Sequence, residues 1–298
     1  MPATDWGYRS VWQHLMDVPH RIGFVDANGV RTRYLEAGAV GAPVVVMLHG
    51  ATGSLEYFCA NIGAFSTRYR VIALDMLGSG ATGRPDRPYT PAAYRDHVGA
   101  TLDALGIARC TLLGVALGSA VSAHVAQQRP DLVQALIMVS PGAIQVDEGA
   151  VRDFIAGVKQ RRGAAVEDLT WGNVAKVVDA LFLDPEASRM DDLVALRLRG
   201  YDAPDRAAHM RNMLASAHPD QFLSHDTWRA MDLPILVFAP VSIQHMFLDN
   251  ARAIVALAPR AELIEMTGCR IWPQYEQAAT FNRHCLAFLS RHGETDAG

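Results

Sequence analysis

A tight turn at residues 114–118, with the sequence Gly-Val-Ala-Leu-Gly, carries the strongest chemical signal in the chain. An apolar run at residues 111–113 precedes it, and a helical stretch at residues 117–128 follows it. Glycines two residues on either side of a central residue permit a strained strand-to-helix turn that lifts the central side chain above a sheet. The N–H of Leu117 would then lie at a helix N-terminus, which favours negative charge. The central residue is Ala116, whose methyl group cannot act as a nucleophile.

The surrounding pattern predicts a mostly parallel sheet that positions this turn. Unbroken apolar runs are typical of strands covered on both faces, and they occur at residues 44–48, 71–74, 136–140 and 235–238. Helical stretches alternate with these runs, which favours right-handed crossovers between parallel strands. An Asn28-Gly29 turn predicts an antiparallel hairpin near the start of the chain.

The alternation stops between about residue 142 and residue 228, where the pattern predicts helices at residues 151–161, 174–183 and 206–214. It resumes with the apolar run at residues 235–238 and continues with a helix at residues 248–257, a strand at residues 262–266 and a final helix at residues 275–291. We therefore expect a core domain of residues 1–141 and 229–298, with a helical cap at residues 142–228.

Residues 22–291 resemble the α/β-hydrolase fold. Residues 49–54 match that family's oxyanion loop, and residues 269–276 match its histidine loop. The helical insertion and the Trp-Pro-Gln-Tyr-Glu run are most similar to carbon-carbon bond hydrolases that act on meta-cleavage products of aromatic compounds. The resemblance implies an eight-stranded, mostly parallel sheet flanked by helices, with a cap after strand 6. It also implies an oxyanion hole formed by the backbone N–H groups of Ala51 and Leu117.

The three positions that would hold the family's catalytic triad are Ala116, Ile243 and Ile271. None of these side chains can donate, accept or carry a proton. Loss of a nucleophile and base that act as a unit lowers the rate by about a millionfold, so we expect no ordinary Ser-His-Asp hydrolysis. An engineered Ser-to-Ala change would account for Ala116 but not for Ile243 and Ile271.

Weaker candidates surround these positions. His245 and His49 are candidate proton acceptors, although the histidine of a His-Gly pair can instead have a structural role near the oxyanion loop. Candidate substrate contacts are Thr52, Arg270, Trp272 and Tyr201. Arg270 could hold a carboxylate or form a surface ion pair, and Trp272 could line the pocket or pack in the core.

Composition narrows the partner classes. The formal net charge is -4 and the basic residues are scattered, which argues against nucleic acid and acidic membranes as partners. The short basic run at residues 159–162 is interpreted as a solvated helix end. Residues 1–20 contain no apolar stretch of signal-peptide length, which favours a cytoplasmic location. The four cysteines lack metal or disulfide spacing, so we expect no metal and no cofactor, a small-molecule ligand and, as an open alternative, a homodimer.

Three functions remain open at this point. The first is a non-hydrolytic enzyme, a lyase, isomerase, decarboxylase or cyclase, acting on an apolar carbonyl compound in a dry pocket. The second is a non-catalytic receptor or carrier that uses the same pocket. The third is an inactivated carbon-carbon bond hydrolase, or a hydrolase with relocated groups such as a water held by His245.

Overall fold

The computed structural model describes residues 9–242 and 246–292 of the 298-residue chain. Its strands are β1 (His20–Ala27), β2 (Val30–Ala37), β3 (Val44–Leu48), β4 (Arg70–Leu74), β5 (Cys110–Val115), β6 (Val133–Val139), β7 (Ile235–Pro240) and β8 (Ala261–Met266). They form one sheet in the order β1-β2-β4-β3-β5-β6-β7-β8. The β1–β2 and β2–β4 pairs are antiparallel and the other pairs are parallel. The predicted eight-stranded, mostly parallel sheet is confirmed.

The turn between β1 and β2 forms as the sequence predicts. Asn28 and Gly29 have φ angles of 51° and 81°, and Ala27 pairs with Val30 across a two-residue loop. The carboxylate of Asp26 accepts a hydrogen bond of 2.8 Å from the Gly29 N–H. These positive φ angles match the twist of the two strands.

The helices are α1 (Trp12–Leu15), α2 (Cys59–Ser66), α3 (Pro91–Ala104), α4 (Leu117–Gln128), α5 (Glu148–Glu167), α6 (Trp171–Asp179), α7 (Pro185–Ser188), α8 (Asp191–Tyr201), α9 (Arg206–Leu214), α10 (His225–Ala230), α11 (Met246–Leu257), α12 (Pro273–Glu276) and α13 (Ala278–His292). None of those in the described ranges has both the length and the apolar composition needed to cross a membrane.

Helices cover both faces of the sheet. Successive side chains of β3 point in opposite directions, so Val45 and Met47 join one apolar cluster while Val46 and Leu48 join the other. The first cluster includes residues of α2 and α13, and the second includes residues of α3, α4 and α11. This double burial explains why β3 is apolar throughout.

Helices α5 to α10 lie between β6 and β7. Side chains of Asp147, Thr170, Asp184 and Asp205 each accept a hydrogen bond from the first turn of the helix that follows. Such N-caps fix where these helices begin. The domain boundary predicted at residue 228 falls inside α10, and the division into core and cap stays a prediction.

The predicted helix boundaries differ from the structure where loops contact the insertion. The helix expected at residues 174–183 begins at Trp171 and ends at Asp179. The next residues contact other elements, since the Leu181 carbonyl accepts from Ile271 N–H and Leu183 N–H donates to Glu276. The helix expected at residues 275–291 is interrupted at Gln277, whose side chain donates to the Gly268 carbonyl. Helix α8 was not predicted.

Candidate functional site

Ala116 occupies the turn between β5 and α4. Its φ and ψ angles are 49° and -106°, a conformation that residues with a side chain rarely adopt. A Cβ atom at Gly118 would lie 2.0 Å from the Leu48 carbonyl oxygen, and one at Gly114 would lie 2.3 Å from the Gly118 carbonyl oxygen. Both glycines are therefore required by close backbone packing. The turn places Ala116 on a cavity that Phe154 and Trp272 also line, called the main cavity below.

Hydrogen bonds hold the turn in this conformation. The Ala116 N–H donates to the Val139 carbonyl over 2.9 Å. The hydroxyl of Ser119 is fully buried and donates to the Gly114 carbonyl over 2.6 Å. Ser119 therefore supports the backbone and is not presented as a nucleophile.

The loop after β3 forms the opposite side of this site. Thr52 has a φ of 58°, and the Gly53 N–H closes a turn onto the Gly50 carbonyl over 3.0 Å. Both Ala51 and Leu117 border the main cavity. Leu117 is the first residue of α4, so its N–H has no carbonyl within the helix to bond. The two backbone segments required for an oxyanion hole thus face one cavity.

His49 lies behind this loop with both ring nitrogens engaged. Its Nε2 accepts from the Met76 N–H over 3.0 Å, which leaves the protonated Nδ1 to donate to the Gly50 carbonyl over 2.7 Å. Burial lowers the pKa of His49 to about 4. The imidazole is therefore neutral, and it shapes the loop.

The main cavity has a volume of about 130 Å³. Its apolar wall comes largely from the insertion, through Val151, Phe154, Ile155, Val158, Val177 and Leu181. Ile271 and Trp272 close the side formed by the loop after β8. Trp272 packs between Tyr57 and Phe182, with ring centroids 4.3 Å and 5.3 Å away.

The Ile271 backbone is fixed from both directions. Its N–H donates to the Leu181 carbonyl over 3.2 Å, and its carbonyl accepts from the Ser140 hydroxyl over 2.8 Å. The Ile271 side chain is 9% exposed and borders the cavity. An apolar side chain is thus held firmly beside Ala116 and offers no group for proton transfer.

Two arginines of the insertion border the same cavity, and of these Arg197 is buried and Arg162 is half-buried. Arg197, on α8, is 4% exposed, and its Nη2 donates to the Tyr57 hydroxyl over 2.5 Å. Arg162, on α5, donates from Nη2 to the Ala51 carbonyl over 3.3 Å. Burial raises the pKa of Tyr57, so this hydroxyl is protonated and neutral. Within the described ranges, neither guanidinium forms an ion pair with a carboxylate.

Comparisons with known proteins agree with this geometry. A family model described as alpha/beta hydrolase fold matches residues 43–182. A solved serine hydrolase involved in carbazole degradation superposes with a TM-score of 0.75 at 26% identity, covering 92% of this chain and 100% of that one. The chain has the α/β-hydrolase fold.

Two curated relatives are similar in sequence to this chain over most of its length. One is a 2-hydroxy-6-oxo-6-(2'-aminophenyl)hexa-2,4-dienoic acid hydrolase from Metapseudomonas resinovorans, 28% identical over 284 residues, or 91% of each chain. The other is a 2-hydroxy-6-oxononadienedioate/2-hydroxy-6-oxononatrienedioate hydrolase from Burkholderia vietnamiensis, 29% identical over 89% of this chain and 93% of the relative. The predicted similarity to meta-cleavage-product hydrolases is confirmed.

The structure gathers some of the predicted site residues of this α/β-hydrolase fold and separates others. Those on the main cavity are Ala51, Ala116, Leu117, Ile271 and Trp272. Thr52 and Tyr201 border a smaller second cavity, where the Tyr201 hydroxyl donates to Thr52 Oγ1 over 3.3 Å. Arg270 borders a neighbouring depression that it shares with Ile271. Ile243 and His245 lie outside the described residues.

Arg162 corrects the interpretation of residues 159–162 as a solvated helix end. Lys159 is exposed, but Arg161 and Arg162 both border the cavity, Arg161 from an exposed position and Arg162 from a half-buried one. Its position on α5 continues the spacing of the buried face through residues 151, 155 and 158, each three or four residues apart. That periodicity was the available signal, and the positive charge obscured it.

Arg197 and Tyr57 were also missed. Leu193, Arg197 and Tyr201 recur every four residues along α8 and are all buried, after two aspartates in the first turn of the helix. This pattern predicts a helix with one buried face. Tyr57 lies in a short 3-10 helix, Leu55–Phe58, for which the sequence carries no comparable signal.

Proposed function

We propose that this protein binds a small carboxylate-bearing carbonyl compound in the main cavity and converts it without hydrolysis. The observation that carries the proposal is that two guanidinium groups, the buried one of Arg197 and the half-buried one of Arg162, lie on the cavity that Ala51 and Leu117 also border. Arginines would hold the carboxylate, and backbone N–H groups would polarise the carbonyl oxygen.

An acidic ligand follows from the cost of burying charge. An ion removed from water without a counterion is destabilising by several kcal/mol. Tyr57 offers Arg197 a neutral acceptor, and the Ala51 carbonyl offers Arg162 another, so neither charge is neutralised by these contacts. A ligand carboxylate would supply charge-assisted hydrogen bonds and the missing negative charge. The expectation of an apolar ligand thus becomes one of an apolar body with an acidic end.

A non-hydrolytic reaction follows from the side chains beside the oxyanion site. Ala116 and Ile271 carry no reactive atoms, and the resemblance assigns Ile243 to the remaining triad position. Among the described residues that line the cavity there is no aspartate, glutamate, histidine or cysteine. The relatives are hydrolases, so the proposal is that the reaction changed while the fold and the anion-binding backbone persisted.

The arginines favour some reactions over others. Decarboxylation is disfavoured, because a guanidinium that stabilises a carboxylate in the ground state raises the barrier to losing it. Isomerisation or cyclisation of an oxo acid remains well supported, since negative charge that develops on the carbonyl oxygen would meet the N–H groups of Ala51 and Leu117. Apolar walls would exclude competing water.

The experiment uses two probes and one reporter compound. Benzoylpropionate carries a phenyl ring, a ketone and a carboxylate, and its methyl ester lacks the charge. Calorimetric titration should give an affinity for the acid at least tenfold above that for the ester. Equal affinities would contradict the anionic site.

Turnover is tested separately with 2-hydroxy-6-oxo-6-phenylhexa-2,4-dienoate, the compound named for a solved relative. Liquid chromatography coupled to mass spectrometry should find a new peak, separated from the substrate but with the same mass, as isomerisation or cyclisation requires. Release of benzoate at rates typical of an enzyme would show hydrolysis and overturn the proposal. A double variant, Ala116→Ser with Ile271→His, serves as the matched control for restored hydrolysis.

A non-catalytic binding protein is the second candidate function. The specific observation in its favour is the same lack of an aspartate, glutamate, histidine or cysteine among the described residues lining the cavity. Tight stoichiometric binding of the acid, with the dienoate recovered unchanged, would select this alternative.

A further inference from the structure

A second, much smaller cavity lies behind Arg197. Its wall includes Thr52 and Ser54 from the loop after β3, Ser79 from the loop after β4, and Arg197 and Tyr201 from α8. It leaves about 10 Å³ for the centre of a water-sized sphere. Arg197 therefore borders both this cavity and the main one.

Three polar atoms on residues of this small cavity are buried and have no hydrogen-bond partner among the residues that the structure describes. They are Ser54 Oγ, Ser79 Oγ and Arg197 Nε. The three residues are 4%, 3% and 4% exposed. Buried polar groups in folded proteins form hydrogen bonds to other protein atoms or to ordered water. Three such groups without a hydrogen bond around one cavity therefore need an explanation.

We propose that one water molecule occupies this cavity and bridges the three atoms. The space matches a single water, and the three polar groups supply the number of partners that a buried water usually has. Arg197 Nε can only donate, so the occupant must accept from it. A water oxygen accepts from Arg197, and its two hydrogens bond to the hydroxyl oxygens of Ser54 and Ser79.

The bridge would fix the side chain that faces the main cavity. Ser54 and Ser79 belong to loops that follow core strands, whereas Arg197 belongs to a helix of the insertion. With Nη2 bonded to Tyr57 and Nε bonded to the water, two of the three guanidinium nitrogens are held. Ser54 and Ser79 are thus positioning residues for Arg197. Their effect on ligand affinity rests on the proposed function, but the presence of the water does not.

Thermal unfolding of Ser54→Ala and Ser79→Ala tests the bridge by the sign of the change. If the hydroxyls bond to the water, removing either one should lower the Tm by about 2–4 °C, the shift expected for one lost hydrogen bond. If the hydroxyls are truly unpaired, their removal relieves an unfavourable burial and the Tm should rise. A rise in both variants would overturn the proposal.

Thr101→Val is the control for loss of a buried hydroxyl elsewhere. Thr101 is fully buried in α3, and its hydroxyl donates to the His97 carbonyl over 2.7 Å. This variant should keep the affinity for benzoylpropionate, while the two serine variants should weaken it about tenfold and leave the affinity for the methyl ester unchanged.

A crystal structure of the full chain at high resolution, grown without ligand, gives the direct readout. Density for a water within hydrogen-bond distance of Ser54 Oγ, Ser79 Oγ and Arg197 Nε is expected. An empty cavity, direct bonds among the three side chains, or a halide peak after a bromide soak would each overturn the proposal. These readouts do not involve the main cavity, so they can fail while the proposed function stands.

Discussion

Replacing Arg197 with methionine should stabilise the unliganded protein while it removes selectivity for an acidic ligand. Methionine has a similar length and needs no counterion. The unpaired buried charge costs several kcal/mol, and the hydrogen bond from a charged donor to Tyr57 returns about 1.5–3 kcal/mol. Loss of the proposed bond from Nε to water takes back about 1 kcal/mol more, so the net gain on substitution is about 1 kcal/mol, or a rise in Tm of about 2–4 °C.

The same change should weaken ligand binding. Loss of one partner in a buried charge pair costs about 2–5 kcal/mol, which is about 30-fold to several thousand-fold in affinity for benzoylpropionate. The methyl ester should bind the wild type and the variant with similar affinity. Opposite signs for stability and binding distinguish a ligand-binding arginine from a structural one.

The assay pairs thermal unfolding with calorimetric titration of both probes. Arg199→Met is the matched control, because Arg199 lies on the same helix two residues away and is exposed. It should change neither quantity appreciably. A fall in Tm for Arg197→Met together with unchanged affinity for the acid would refute the reasoning.

Three further outcomes are expected. Gly118→Ala should unfold the protein or lower its Tm severely, since the new Cβ would lie 2.0 Å from the Leu48 carbonyl oxygen. The control is Gly99→Ala, whose new Cβ would meet no neighbour within 4 Å. Equal melting temperatures for the two variants, measured by circular dichroism, would contradict this expectation. The triple variant Ala116→Ser, Ile243→Asp and Ile271→His should gain esterase activity on an activated ester, because the backbone N–H groups of the oxyanion site are retained. A correctly folded but inactive triple variant would contradict the retention of that site. Burial lowers the pKa of His49 and of His97 to about 4, so both stay neutral in the folded state and the stability they provide is lost as the pH falls from 6.5 towards 4. Each should contribute about 2 kcal/mol of lost unfolding free energy between about pH 7.5 and about pH 5, and a flat urea-unfolding profile over that interval would contradict this.

The sequence predicts those strands and turns whose pattern of apolar residues depends only on which side chains are buried. β5 is apolar because helices cover both of its faces, and its six residues are all buried. The turn at Ala116 followed from Gly114 and Gly118, whose requirement the close backbone contacts explain. The sequence left open whether Trp272 lines the pocket or packs in the core, and in the structure it is buried in the core and also borders the cavity.

The arginines could not be assigned from the sequence because their environment is tertiary. Charged side chains are almost always on the surface, so Arg162 was placed with Lys159 in a solvated run. Whether a guanidinium on a helix faces solvent or a cavity depends on which face packs against the core. Assigning Arg197 to the cavity requires the prediction of helix α8. That prediction in turn requires the buried face of α8 to be recognised despite its charged residues.

A crystal structure with benzoylpropionate bound tests the central claim most directly. The account predicts the carboxylate between the guanidinium groups of Arg162 and Arg197, and the ketone oxygen within hydrogen-bond distance of the N–H groups of Ala51 and Leu117, above the Ala116 methyl. A carboxylate at the oxyanion site with the phenyl ring against the arginines, or an acid bound outside this cavity, would contradict it.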